Sequence, residues 1–147
     1  MKLAGLLILG FTVALGVFMA GLPLAQVIDL GSIAVIILSC AGGSIYLASP
    51  AAMFEAFQLL FYSKANLKTD VRLLQDIIEL NGRIAVGAGF VYTLIGLFGM
   101  LLNFDGAQPV SWAAVWRGIA VAIIPLIYGL ALRYFVILPA ATSLNRR

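Results

Sequence analysis

The stretch Gly82-Arg83-Ile84-Ala85-Val86-Gly87-Ala88-Gly89-Phe90-Val91-Tyr92-Thr93-Leu94-Ile95-Gly96-Leu97-Phe98-Gly99-Met100-Leu101-Leu102 decides the fold. From Ile84 onward it is uncharged, and at ~1.5 Å per helical residue it is long enough to cross a hydrocarbon layer of ~30 Å. It reads as a membrane span rather than a soluble core helix. At ~100° per residue, Ala85, Gly89, Thr93, Gly96 and Met100 fall along one side, while Leu94, Leu97, Phe98 and Leu101 spread over the rest. In lipid, helices gain little hydrophobic free energy by meeting. Their association rests on small residues that let backbones approach and on a few polar groups between them. The small-residue side, with its single hydroxyl, is therefore expected to be a packing side.

Composition agrees with an integral membrane protein. Of the 147 residues, 63% are hydrophobic and only 10% charged, and the mean hydropathy is +1.11, which leaves too little polar surface for a soluble domain of this size. Histidine is absent and Cys40 is the single cysteine, inside an apolar run, so no intrachain disulfide can form. The six carboxylates are scattered from Asp29 to Asp105. No metal-ligand cluster, nucleophile system or paired-carboxylate site emerges, so neither an enzyme nor a cofactor is expected. The net charge of +3 sits mostly at the ends of apolar runs, not in a basic stripe with interleaved aromatics. It therefore reads as topology and not as nucleic-acid binding.

Four spans are expected, over about 3–20, 30–48, 84–102 and 113–138, in one all-α membrane domain covering 1–147. The first run also resembles a secretory signal, but Phe18 stands where cleavage after Ala20 would want a small residue, which favours a retained helix. In the second run Ser32, Ser39 and Gly43 form a packing side, and Ser49-Pro50 marks the bend at its end. Residues 51–83 carry the regular charges and read as a short cytoplasmic helical segment. Met53, Phe54, Phe57, Leu60 and Phe61 make the apolar side of one helix, suited to a membrane surface. After a polar turn at Lys64 to Lys68, a second helix starts with Thr69 as its N-cap, with Val71, Leu74, Ile77 and Ile78 on its apolar side. Arg72 with Asp76 and Glu79 with Arg83 are spaced for i,i+4 pairs. This segment is either a pair of connecting helices with a wet face or a protein-docking surface.

Asn103 to Gly106 reads as a turn, Trp112 and Trp116 as an interfacial belt, and Pro139 as the exit of the fourth span. Lys2, Lys64, Lys68, Arg72, Arg83, Arg146 and Arg147, with Arg133 if it snorkels, fall on one side of this topology and Arg117 alone on the other. Both termini and the middle segment are thereby expected in the cytoplasm.

Ile28-Asp29-Leu30-Gly31-Ser32, leading into a span that ends Ala48-Ser49-Pro50, resembles the second-helix signature of the MotA/TolQ/ExbB family, particularly its four-span flagellar stator subunit. Gly89-Phe90-Val91-Tyr92-Thr93-Leu94-Ile95-Gly96-Leu97 is similar to the third-helix motif G-x-x-G-T-x-x-G-L, and Ile127-Tyr128-Gly129 through Leu138-Pro139 resembles the fourth helix and its exit. The chain departs from the family pattern at Val86, Tyr92, Pro125 and Leu126, and its cytoplasmic segment is far shorter than the torque-transmitting domain of flagellar stators.

The resemblance implies a homopentamer, embedded in membrane lipids of the bacterial inner membrane, around two copies of a single-span MotB/TolR/ExbD-like partner. In the family the partner supplies the titrating aspartate, and proton or sodium flow turns the ring. Thr93, Tyr92, Gly89, Gly96, Ala122, Pro125, Gly129 and Arg133 are the expected lumen-lining or ion-pathway residues. For two of them the residues leave alternatives: Thr93 either relays a partner's proton or bonds its own preceding turn, and Arg133 either rings the cytoplasmic mouth or snorkels to lipid phosphates. The absence of an acid inside any span fits a carboxylate supplied in trans. It equally fits a structural scaffold of the same architecture that conducts nothing.

Overall fold

The structure is a computed structural model that describes residues 10–12, 14–15, 19, 28–61, 69–102 and 111–144. Among these residues it is all-helical. Among the described residues three helical runs are long and apolar enough to cross a membrane: Leu30–Leu47, Val71–Leu102 and Trp112–Thr142. Most of the first expected span, the Lys64–Lys68 turn, the Asn103–Gly106 turn and the basic end from Asn145 to Arg147 lie outside the described residues.

Helix α1 spans Leu30–Leu47. Asp29 caps it: its carboxylate accepts from the Gly31 amide at 3.0 Å and from the Ser32 hydroxyl, satisfying donors that a helix start leaves open. Its backbone amide donates to the Tyr128 hydroxyl at 3.1 Å. The other end of α1 is tied through Ser44 to Asn81 at 2.9 Å, so hydrogen bonds hold α1 at both of its ends. The Ser49-Pro50 bend then launches α2, Pro50–Phe61. The Ser49 hydroxyl accepts from the Ala52 amide at 3.2 Å, and proline fits the first helical position because no donor is needed there.

Helix α3, Val71–Leu102, is one continuous helix of 32 residues. The second connecting helix and the third span, distinguished by charge in the sequence, are thus a single rod. No Pro or paired glycine interrupts them, and loss of charge does not end a helix. The N-cap is Asp70 rather than the expected Thr69: Asp70 accepts the Arg72 amide on its carboxylate and the Leu74 amide on its carbonyl, both at 3.1 Å. Thr69 instead donates its amide to the Glu55 carboxylate at 3.0 Å, tying the start of α3 to α2. The expected Arg72–Asp76 and Glu79–Arg83 pairs are not made among the described residues, and all four side chains are exposed. An exposed pair gains little against the entropy of holding two long side chains.

Helix α4, Trp112–Ala131, runs into a π-helical stretch, Leu132–Ile137, and then α5, Leu138–Leu144. The chain therefore stays helical through Pro139, where the sequence suggested an exit. Proline removes an amide and crowds the preceding turn. The widened turn lies directly before it, the usual place for a helix to absorb such a misfit.

Every other element packs on α3. Its first half buries large side chains: Leu74, Ile77 and Ile78 join Ala52, Ala56 and Leu59 of α2 with Ile137 and Ala141. On α2 the buried side is the Ala52–Ala56–Leu59 stripe. Phe54 and Phe57, expected to share its apolar side, are more than half exposed, an arrangement suited to a helix whose outer face meets lipid.

Two measurements check this account. Leu74→Ala is expected to destabilise the fold by ~2–5 kcal/mol through cavity formation, whereas Leu94→Ala, on an exposed side, stays near neutral in a denaturant titration. The Ser32 hydroxyl above all, helped by the Gly31 and Ser32 amides and opposed by desolvation, holds the Asp29 carboxyl below its ordinary value. A depressed folded-state pKa gives stability that is present above the unfolded value and lost as pH falls through the folded one. Acid unfolding of the wild type should therefore include an Asp29 component that Asp29→Asn lacks.

Candidate functional site

Along the second half of α3 the packing changes character. The buried positions become Ala85, Gly89 and Thr93, and α4 presents Ala122, Pro125 and Gly129 to them. A β-carbon on Gly89 would lie 2.6 Å from the Pro125 carbonyl oxygen, and one on Gly129 would lie 2.3 Å from the Ala85 carbonyl oxygen. Both obstacles are backbone atoms, so neither can rotate away. The two glycines, one from each helix, are thus reciprocal: each admits the other helix's main chain.

The seam continues in antiparallel register on both sides of this contact. Toward the Trp112 end, a β-carbon on Gly96 would meet the Ala122 β-carbon at 3.2 Å, and one on Gly118 would meet the Met100 sulfur at 2.4 Å. Toward the other end, Gly82 lies under Arg133 and Ile137: its β-carbon would be 3.6 Å from the Arg133 Cγ and 3.1 Å from the Ile137 Cγ2. The stem of Arg133 therefore lies along α3, leaving its guanidinium 5.8 Å from the Tyr134 ring centroid, within cation–π range.

Thr93 is 6% exposed, and its hydroxyl donates to the Gly89 carbonyl at 3.0 Å. Of the two readings its sequence left open, the bond to its own preceding turn is the one the structure shows. The hydroxyl proton is thereby committed, while the oxygen keeps acceptor capacity. Pro125 has no amide to give the Val121 carbonyl one turn back, and its own carbonyl faces Gly89. Tyr92, at 38% exposure, stands outside the seam. Five of the eight expected site residues, Gly89, Thr93, Ala122, Pro125 and Gly129, are thus buried together inside the subunit. Gly96 and Tyr92 are exposed beside them, and Arg133 is half-buried at the lower end.

A polar contact that the sequence reading missed joins α1 to α3. The Ser44 hydroxyl, fully buried, shares its one proton between the Asn81 side-chain oxygen and the Cys40 carbonyl, each at 2.9 Å, and the Cys40 thiol approaches the Asn81 carbonyl at 3.5 Å. Of the expected packing side of α1, Ser32 is buried and Gly43 faces Ile84, but Ser44 takes the position expected of Ser39. The one available signal was Asn81 itself, an amide at the edge of an apolar run.

The seam yields a graded prediction. Gly89→Ala and Gly129→Ala should each destabilise the subunit by ~1–3 kcal/mol through overpacking against backbone. Gly87→Ala, where nothing lies within 4 Å, should be neutral or slightly stabilising by helix propensity. Unfolding of all three variants in mild detergent checks the order.

A search among curated proteins finds no match. The model of the MotA/TolQ/ExbB proton channel family matches residues 55–147, well over half of the chain and all of the α3–α4 seam. On that match the chain belongs to the MotA/TolQ/ExbB proton channel family.

Proposed function

We propose that this chain is the ring-forming subunit of an ion-driven membrane motor or energy-transducing channel, working on a proton or sodium gradient. It has four spans with both termini in the cytoplasm of a bacterial inner membrane. Five copies surround two copies of a single-span MotB/TolR/ExbD-like partner. The family match over residues 55–147 is the observation that carries this reading.

The chemistry of the two seam helices supports it. From Ile84 to Leu102 and from Trp112 to Leu144 there is no acidic residue. Ion transfer at mid-membrane needs a titrating or coordinating group, so a partner's carboxylate has to supply it. The packed seam divides the labour among the site residues. Gly89, Thr93, Ala122, Pro125 and Gly129 fix the separation of α3 and α4, while Tyr92, Gly96 and Arg133 face the lumen. With its proton held by the Gly89 carbonyl and its side chain buried, Thr93 serves the ion pathway by holding the seam rather than by touching the partner's carboxyl.

Reconstitution tests the proposal. Native mass spectrometry should find a pentamer that takes up two partner chains, and proteoliposomes should show ion flux only with the partner present. Thr93→Val keeps the shape and removes a hydroxyl that bonds its own preceding turn, so it should assemble normally and keep its flux, whereas the charge reversal Arg133→Glu should alter partner binding or ion selectivity. A ring that binds its partner without flux would favour the structural scaffold, and a stable monomer would overturn both readings.

A further inference from the structure

The α4 run is pinned to α3 twice. Gly129 lies against the Ala85 backbone, and further along Ile137 and Ala141 belong to the aliphatic core. At about 100° per residue, an uninterrupted α-helix counted from Gly129 would carry Ile137 roughly 80° and Ala141 roughly 120° away from the side that meets α3. Val136 and Ala140 would each lie within about 20° of that side. The π-helical stretch makes up the difference. The Leu138 amide donates to the Arg133 carbonyl, five residues back, and a turn closed this way takes in one residue more than an α-turn, so the helix is set back by about one residue.

The sequence here tolerates either register. Tyr134-Phe135, Val136-Ile137 and Ala140-Ala141 are consecutive pairs of like residues. A slip of one residue puts Val136, one methylene smaller, where Ile137 packs, and Ala140 where Ala141 packs. Ala140 and Ala141 are equally buried, and Tyr134 and Phe135 are both exposed, so the slip exchanges like for like. Two backbone terms oppose each other. Regular bonding favours the α form, whereas the Pro139 ring crowds the carbonyl one turn back, a clash that the wide turn relieves.

We propose that Leu132–Ile137 is a register switch. It interconverts between the π-helical form and an α-helical form in which α5 has slipped by one residue against α3, and Pro139 holds the balance toward the π form. Packed helices pass between discrete registers rather than deforming continuously. The slip turns α5 by about 100° while the seam stays in place. It also takes the Arg133 stem, which lies over Gly82, partly off α3 and brings Leu132 beside it. Arg133 is the one charge between Arg117 and Arg146, so the switch moves the only charge of this run. It rests on the packing of the α4 run alone and stands whether or not the ring conducts.

Disulfide trapping in membranes tests the switch, on the full-length protein in a Cys40→Ala background. A β-carbon on Gly82 would lie 3.8 Å from the Ile137 β-carbon, within the ~3.5–4.5 Å that a disulfide spans, so Gly82→Cys with Ile137→Cys reports the π form. Gly82→Cys with Val136→Cys reports the slipped form, and carries Ile137→Ala to keep room for the new β-carbon. Both pairs should link within one chain, the second roughly 10–100-fold more slowly, as for a minor state. Pro139→Ala should speed the second about tenfold. Gly82→Cys with Phe135→Cys, again with Ile137→Ala, faces α3 in neither form and should stay free. A Val136 pair that never links, a rate that Pro139→Ala leaves unchanged, or a Phe135 pair that links as readily would each overturn the proposal. Should the Gly82→Cys chains not fold, amide hydrogen exchange decides: Leu132–Ile137 should exchange faster than 118–129, and Pro139→Ala should slow it. Equal protection of the two segments, unchanged by Pro139→Ala, would overturn the switch.

Discussion

The rest of the structure depends on the backbone-to-backbone contact between α3 and α4, where Gly89 admits the Pro125 carbonyl and Gly129 admits the Ala85 carbonyl. In a bilayer no hydrophobic gain pushes two apolar helices together, so proximity has to come from dispersion and from complementary surfaces. Removing two β-carbons at facing points lets a long run of main-chain atoms come into contact. The remaining seam residues, Gly96 against Ala122 and Gly118 against Met100, follow from the register this sets.

Because α3 is continuous, the same helix also carries a second kind of packing. Below Gly82 it buries Leu74, Ile77 and Ile78 against α2, Ile137 and Ala141, a core of large side chains of the sort that water drives together. Above Gly82 it buries small residues only. The residue size that α3 buries thus changes along one rod. The rod also couples the two ends, since a rotation of α3 that opened the seam would displace the aliphatic core below. The π-helical stretch over Leu132–Ile137 lets the α4 run serve both regimes: it shifts the register so that Ile137 meets the core after Gly129 has met the seam.

Much of this was legible in the sequence because small residues at helical spacing have few other uses in a span. Ala85, Gly89 and Thr93 were read as a packing side and are buried, whereas Ala122, Pro125 and Gly129, read as lumen-lining, are the buried positions that meet them. The bend at Ser49-Pro50 was equally plain, since a cap residue followed by proline starts a helix. Other features are set by tertiary contact and leave weak local marks. Whether Thr69 or Asp70 caps α3 turns on Glu55 claiming the Thr69 amide. The bond of Ser44 to Asn81 depends on how two distant helices are rotated, and the tie from the Asp29 amide to Tyr128 depends on the crossing of α1. The π turn comes from a misfit that no residue pattern announces.

The seam as an intramolecular unit is tested most directly by cross-linking. Gly96→Cys with Ala122→Cys, in a Cys40→Ala background, places two β-carbons 3.2 Å apart by the geometry of the native backbone, close to the ~3.5–4.5 Å that a disulfide spans. Oxidation in membranes should give a disulfide within one chain, seen as a linked peptide pair at unchanged subunit mass and insensitive to dilution of the protein in lipid. A cross-linked dimer, or two free thiols under the same oxidant, would contradict the account.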